Sequence, residues 1–306
     1  LKANEIGSLP ELDVWEARIS DLESHDLPTV NINLRPGRVM RPAGDRRGTA
    51  RRLILPPLGA FGLFIGIWYL FSEVLMSPSR RFLIPPPHAV WQSTITNAAN
   101  RTQLLEALWV TTKVALTGLA IAAVIGIAVA VLMSLASWVE ASIYPYAVLV
   151  QVMPILAIVP LLGLLFGFSF RSRVIVCVII TLFPVITNTL FGLKVADRDM
   201  HDLFSMMKVG AVTRLWKLQF PAAMPAIFAG LRIGGGAAVV GAVVGDFFFQ
   251  RGDAGLGVLI EQYSTQELTP QLYGVVICSA LLGVVIFSLF VCLSKLVTGK
   301  WYRTQT

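Results

Sequence analysis

Charge is scarce in this chain: 14% of its 306 residues are Asp, Glu, Lys or Arg, where a soluble domain carries about a quarter. With 55% hydrophobic residues and a mean hydropathy of +0.71, that shortage excludes a soluble globular domain and indicates a polytopic membrane protein. Histidine is scarcer still. His25, His88 and His201 are widely separated and no pair has metal-ligand spacing, so neither a metal centre nor a histidine-based catalytic cluster is expected. The three cysteines, Cys177, Cys278 and Cys292, all fall inside apolar runs; buried packing residues are expected there, not a disulfide framework. There is no nucleophile elbow and no phosphate-binding G-x4-G-K-S/T, since Gly234-Gly235-Gly236 lacks the lysine. Catalytic residues and cofactors are therefore not expected on this chain, and any nucleotide hydrolysis belongs to another polypeptide.

What the chain has in excess is long apolar runs. Six are long enough to span a bilayer: Leu53 to Leu75, Leu108 to Leu135, Ala141 to Phe168, Val174 to Leu193, Pro225 to Phe248, and Leu272 to Val297. The expected fold is all-α, a polytopic membrane helical bundle with six transmembrane helices. The net charge of +7 is concentrated before the first run, at Arg35, Arg38, Arg41, Arg46, Arg47, Arg51 and Arg52. That placement reads as topology and contact with anionic lipid, not nucleic-acid binding. An even number of spans puts both termini on one side, and the arginines make that side the cytoplasm, although Arg80, Arg81, Arg171 and Arg173 then fall outside. Residues 1–52 read as a largely flexible cytoplasmic extension with a short helix from Leu9 to Asp21 and no secretory signal, and 53–300 as the membrane domain.

Within the second run Gly118, Ala122, Gly126 and Ala130 recur every four residues, and the fifth run carries Gly230, Gly234, Gly241 and Gly245. Such faces let neighbouring helices approach closely and predict a tightly packed bundle. Pro154 and Pro160 interrupt the third run, and Pro184 lies beside Asn188 in the fourth. A structural kink and a cavity-lining break are both open readings; on the second, Gln151, Met153, Pro154 and Asn188 line a path. Asp246 near the end of the fifth run either shapes that path or its outer gate, or reaches headgroup water. Arg232 either snorkels or pairs with the loop that precedes it.

That loop, within 194–224, is the polar centre of the chain. Asp199 and Asp202 form a helix-start signature, and Met200, Leu203, Phe204 and Met207 follow at i, i+3, i+4 and i+7. Gly210 suits the left-handed position that ends such a helix; Thr213 would cap a second one, and Pro221 would stop it. A helix this short cannot cross about 30 Å of hydrocarbon, so its apolar stripe lies on the interface or enters a partner's groove.

The segment resembles the cytoplasmic "EAA" loop of permease subunits in ATP-binding-cassette importers, E-A-A-x3-G-x9-I-x-L-P. Laid without gaps, that pattern falls on Asp202-Leu203-Phe204, Lys208, Leu218, Phe220 and Pro221. Asp replaces Glu, Leu-Phe replaces Ala-Ala, and Lys208 stands at the glycine. Pro221-Ala-Ala-Met-Pro225, Gly230-Leu-Arg-Ile233, Phe82-Leu83-Ile84-Pro85 and Gly255-Leu256-Gly257 resemble the nitrate/sulfonate/taurine class of these permeases, over roughly residues 80 to 300.

The resemblance implies the type I importer permease fold in a bacterial cytoplasmic (inner) membrane. It implies cytoplasmic ATPase subunits that hold the ATP and Mg, a second permease copy or homologue, and an extracytoplasmic substrate-binding protein. Asp202, Leu203, Phe204, Met207, Lys208, Gly210 and Pro221 would couple to the ATPase, and Gln151, Met153, Pro154, Asn188 and Asp246 would belong to the translocation path. The cargo it implies is a small polar or anionic solute such as a sulfonate, taurine, nitrate or bicarbonate, which Arg171, Arg173 and Arg251 would attract at the outer mouth. The alternative is a pyrimidine, riboflavin or thiamine precursor, stacking on Phe247 to Phe249 and Tyr263. An ion-coupled secondary carrier would need acids or histidines near the midplane, where only Asp246 comes close; a membrane enzyme would need a reactive cluster.

Overall fold

The computed structural model describes residues 46–77, 80–196 and 198–299, and these are helical without a strand. The expected extension lies outside the described residues up to position 45, as does the helix placed at Leu9 to Asp21. The chain divides between Gly59 and Ala60. Of the first unit, residues 46–59 are described; they are the N-terminal part of helix α1 (Arg46–Tyr69), which holds Pro56 and Pro57.

In the main unit α1 ends in a π turn, Leu70–Leu75. After it come α2 (Pro87–Trp91), a second π turn (Gln92–Thr96) and the long α3 (Ala98–Leu135). Asn97 sets the start of α3, its Oδ1 accepting from the N–H groups of Ala99 and Asn100. Then follow α4 (Ser137–Val152), α5 (Ile155–Phe166) and α6 (Phe170–Lys194). The next elements are α7 (Arg198–Met206), α8 (Ala211–Arg214) with a π turn (Leu215–Gln219), and α9 (Phe220–Phe248). The last two are α10 (Leu256–Thr265) and α11 (Thr269–Thr298).

Five of these segments are long and apolar enough to cross a membrane, the one through α9 running unbroken from Ala211 to Phe248. The third expected span is not one helix. Its two halves, α4 and α5, meet at 98°, because Pro154 has no N–H to continue the ladder and drives Met153 into the extended region (φ −57°, ψ 130°). The bent pair still makes one crossing. At its start Glu140 pairs with Lys194, the last residue of α6. Beyond its end Phe168 stacks edge-on against Phe249, ring centroids 5.7 Å apart, beside the first turn of α6 and the last of α9. The pair therefore enters at the face that carries α7 and leaves at the opposite face, which gives six crossings among the described residues.

Helix α6 is the centre of the packing, held between α3 and α9. A Cβ on Gly118 of α3 would lie 2.3 Å from Cys177 Cβ, and one on Gly241 of α9 would lie 2.9 Å from Cys177 Cα. Lower down, Gly126 faces Val185 and Gly230 faces Asn188 in the same way. In lipid no hydrophobic gain drives helix pairing, so backbone approach over small residues holds these helices together. Both glycine-rich faces seen in the sequence thus close on the same helix. The thiols behave differently from one another: all are free, Cys177 is buried between the seams, Cys278 is half-buried and Cys292 is exposed, against the expectation for that residue.

Candidate functional site

At the α7 face, the helix opens at Arg198, one residue before Asp199. Its end is a Schellman turn. The Val209 N–H donates to Phe204 O at 3.1 Å and the Lys208 N–H to Ser205 O at 3.0 Å, which places Lys208 in the left-handed region at φ 51°. The turn therefore stays at the family's glycine position despite the lysine, and does not shift to Gly210. Gly210 is extended (φ −63°, ψ 156°) and precedes α8, so Thr213 is no cap; it lies inside that helix. Pro221 does not stop a helix either. It lies just after the π turn Leu215–Gln219, at the join with α9 inside the helical segment that runs from Ala211 to Phe248.

Ser205 links the two short helices by accepting from Arg214 Nη2 at 3.0 Å. Leu215 is buried with Leu193, Ala223 and Ile227, which anchors α8 to the bundle. The outward surface of this corner carries a group of apolar side chains: Met200, Leu203, Met206, Met207, Val212 and Trp216 are all exposed, with Phe204 half-buried beside them.

The opposite face is built around a buried charge pair. Arg173, in the first turn of α6, donates from Nη1 to Asp246 Oδ1 at 3.0 Å, and the two side chains are 2% and 0% exposed. Thr111 of α3 donates to Asp246 Oδ2 at 2.5 Å and itself accepts from the Leu256 N–H at 2.8 Å. The rest of the guanidinium holds the chain between α9 and α10, donating to the carbonyls of Phe249 (2.8 Å), Arg251 (2.8 Å) and Asp253 (2.9 Å). Asp246 thus joins α3, α6, α9 and α10, and the reading that it touches headgroup water does not hold. Nor can Arg173 draw an anion at the surface.

This pair explains Gly255-Leu256-Gly257. A Cβ on Gly255 would lie 1.9 Å from Asp246 Oδ2, and one on Gly257 2.1 Å from Val243 O. The start of α10 lies against α9 closely enough that only hydrogen fits. Phe82-Leu83-Ile84-Pro85 is a backbone strap. Its carbonyls accept in turn from Thr269 Oγ1, from the Tyr273 hydroxyl (3.3 Å), from Ser72 Oγ (2.7 Å) and from Trp68 Nε1 (3.0 Å), joining the end of α1 to the start of α11. Burial pushes the phenol of Tyr263 on α10 above its ordinary range, so it stays a donor, to Gln103 Oε1 at 3.2 Å.

The residues suggested for a path lie in separate places. Gln151, Met153 and Pro154 are exposed at the α4–α5 bend. Asn188 donates from Nδ2 to Pro184 O at 2.8 Å, inside its own helix, and Asp246 is sealed in the charge cluster. Arg232 lies over the Phe287 ring at 5.1 Å. Thr111 was the residue missed by sequence reasoning. Nothing local distinguishes it from other span threonines, and Asp246 lies 135 positions away.

Residues 122–300 match the family model described as binding-protein-dependent transport system inner membrane component. A formylaminopyrimidine transport permease protein of Halalkalibacterium halodurans is 30% identical over 251 residues, 82% of this chain and 97% of that one. A riboflavin transport system permease protein of Chloroflexus aurantiacus is 30% identical over 164 residues, covering 54% and 60%. A bicarbonate transport system permease protein of Synechococcus elongatus is 28% identical over 232 residues, covering 72% and 81%. A six-crossing helical bundle with an apolar corner at one face, matched over more than half its length, belongs to the family of binding-protein-dependent transport system inner membrane components.

Proposed function

We propose that this permease subunit works with a separate ATPase that seats α7 in a cytoplasmic cleft, with both termini on that side and a second permease copy or homologue beside it. A binding protein would deliver cargo to the opposite face. The observation that carries the reading is the unbroken helix from Ala211 to Phe248, which ties the α7–α8 corner at one face to Asp246 at the other. Reversing a 1:99 equilibrium between inward- and outward-facing states takes about 5.5 kcal/mol of differential binding. A rigid rod transmits that bias; a hinged loop would dissipate it. The exposed Leu203 with Phe204 beside it is the contact patch.

Leu203→Glu with Phe204→Glu is expected to lower transport at least ten-fold in reconstituted vesicles, with the ATPase either idling or lost from the purified complex. Transport at the normal rate would remove α7 from the coupling role.

For cargo, we infer a small polar heterocycle of the pyrimidine type. The relative matched over nearly its whole length is named for formylaminopyrimidine and another for riboflavin, while Arg173 is already neutralised. The ring surfaces differ from those expected, since Phe249 and Tyr263 are buried and Phe170 and Phe247 remain accessible. A small oxyanion is the second reading, favoured by the bicarbonate-named relative and by Arg251. The cognate binding protein should take a flat pyrimidine with micromolar or tighter affinity by titration calorimetry. A response to bicarbonate, nitrate or sulfonate and none to the pyrimidine would decide for the anion.

A further inference from the structure

Beside the Arg173–Asp246 pair, on the face opposite α7, is a cleft of about 280 Å³ whose lining includes Lys113 of α3, Phe168 and Ser169 before α6, Phe170 at its start, and Arg251 and Asp253 after α9. Lys113 and Arg251 are both exposed, and neither forms an ion pair among the described residues. Against them stands one carboxylate, Asp253, so the cleft is net positive.

The cleft is also held in shape. The Arg173 guanidinium fixes the carbonyls of Arg251 and Asp253, and the Arg251 side chain then lies over the Phe168 ring, 5.6 Å from its centroid. On the other wall Lys113 Nζ is 5.8 Å from the Trp109 ring. Both cations are therefore carried on aromatic surfaces, and the backbone behind one of them is anchored by a buried charge.

Its height in the membrane narrows the ligand. The apolar segment of α6 begins at Phe170 and that of α9 ends at Phe248, so the cleft lies where hydrocarbon gives way to water. Trp109, Phe168 and Phe170 form the aromatic layer usual at that depth. Phosphate groups are the anions concentrated there, and paired cations between helices suit a phosphate oxyanion.

We propose that this cleft is a phosphate-binding site, gripping the oxyanion between Lys113 and Arg251. The source of the phosphate is a lipid headgroup or a soluble phosphate.

The test uses the intact transporter complex and native mass spectrometry, comparing wild type with Lys113→Gln/Arg251→Gln and with Lys217→Gln at the other face as control. Retention of phosphatidylglycerol over phosphatidylcholine, weakened about thirty-fold in the double variant and unchanged in the control, identifies a headgroup site. Binding of inorganic phosphate in phosphatidylcholine nanodiscs, lost in the same variant, identifies a soluble ligand. If the double variant, folded by its melting temperature, binds phosphatidylglycerol and inorganic phosphate as wild type does, the proposal is overturned. A pyrimidine that displaces neither probe leaves the cargo reading untouched, so the two ideas fail separately.

Discussion

Asp246→Ala is expected to destabilise the chain by about 3–5 kcal/mol, the cost of leaving one member of a buried ion pair without the other. Arg173 would remain 2% exposed, its charge held among carbonyls with no counter-ion, and Thr111 would lose its acceptor. Removing both charges is a different case, since well-packed apolar residues in place of a buried pair are often neutral or better. Arg173→Met with Asp246→Leu should therefore recover much of the loss in thermal unfolding of the detergent-solubilised complex. Recovery of transport should not follow, because the carbonyls of Phe249, Arg251 and Asp253 would no longer be gathered on one guanidinium. A single Asp246→Ala variant that melts with wild type would mean that the pair is open to water in the membrane.

The second large effect is at Gly257. A Cβ there would lie 2.1 Å from Val243 O and 2.5 Å from Phe247 N, both backbone atoms of α9 that cannot rotate away. Gly257→Ala should cost about 3 kcal/mol, the upper part of the range for overpacking, by pushing α10 off Asp246. Gly236→Ala is the contrast. It lies inside α9 with nothing within 4 Å of the added carbon, and trading a helical glycine for alanine there should gain up to about 1 kcal/mol. Melting temperatures of the two variants should move in opposite directions. If both fall alike, general intolerance of added side chains in the bundle is the cause, not the closeness of α10 to α9.

Residues with long-range partners were among those misread from sequence. Gly118, Gly126, Gly230 and Gly241 announced close-packed faces by spacing alone, because small residues every four positions share one side of a helix. That both faces close on α6 was not legible, since spacing says nothing about the partner. Pro154 was visible as an interruption, but only the backbone at Met153 turned it into a 98° bend. At Lys208 the chemistry misled: a lysine argues against the left-handed region, yet the Schellman hydrogen bonds from Val209 and Lys208 outweigh the side chain's preference.

The sequence by itself determined that this chain crosses a membrane, roughly where it does so, and that the polar loop within 194–224 carries a short helix with an apolar stripe. Those follow from composition and period, which depend on neighbours a few positions apart. Only the tertiary structure decided what the scarce charges do. Asp246 and Arg173 are 73 positions apart, and each alone reads as a residue seeking water or an ion. Brought to one level by helices that pack on glycine, they neutralise each other out of water, because in a medium of low dielectric a charge finds its partner or is not tolerated.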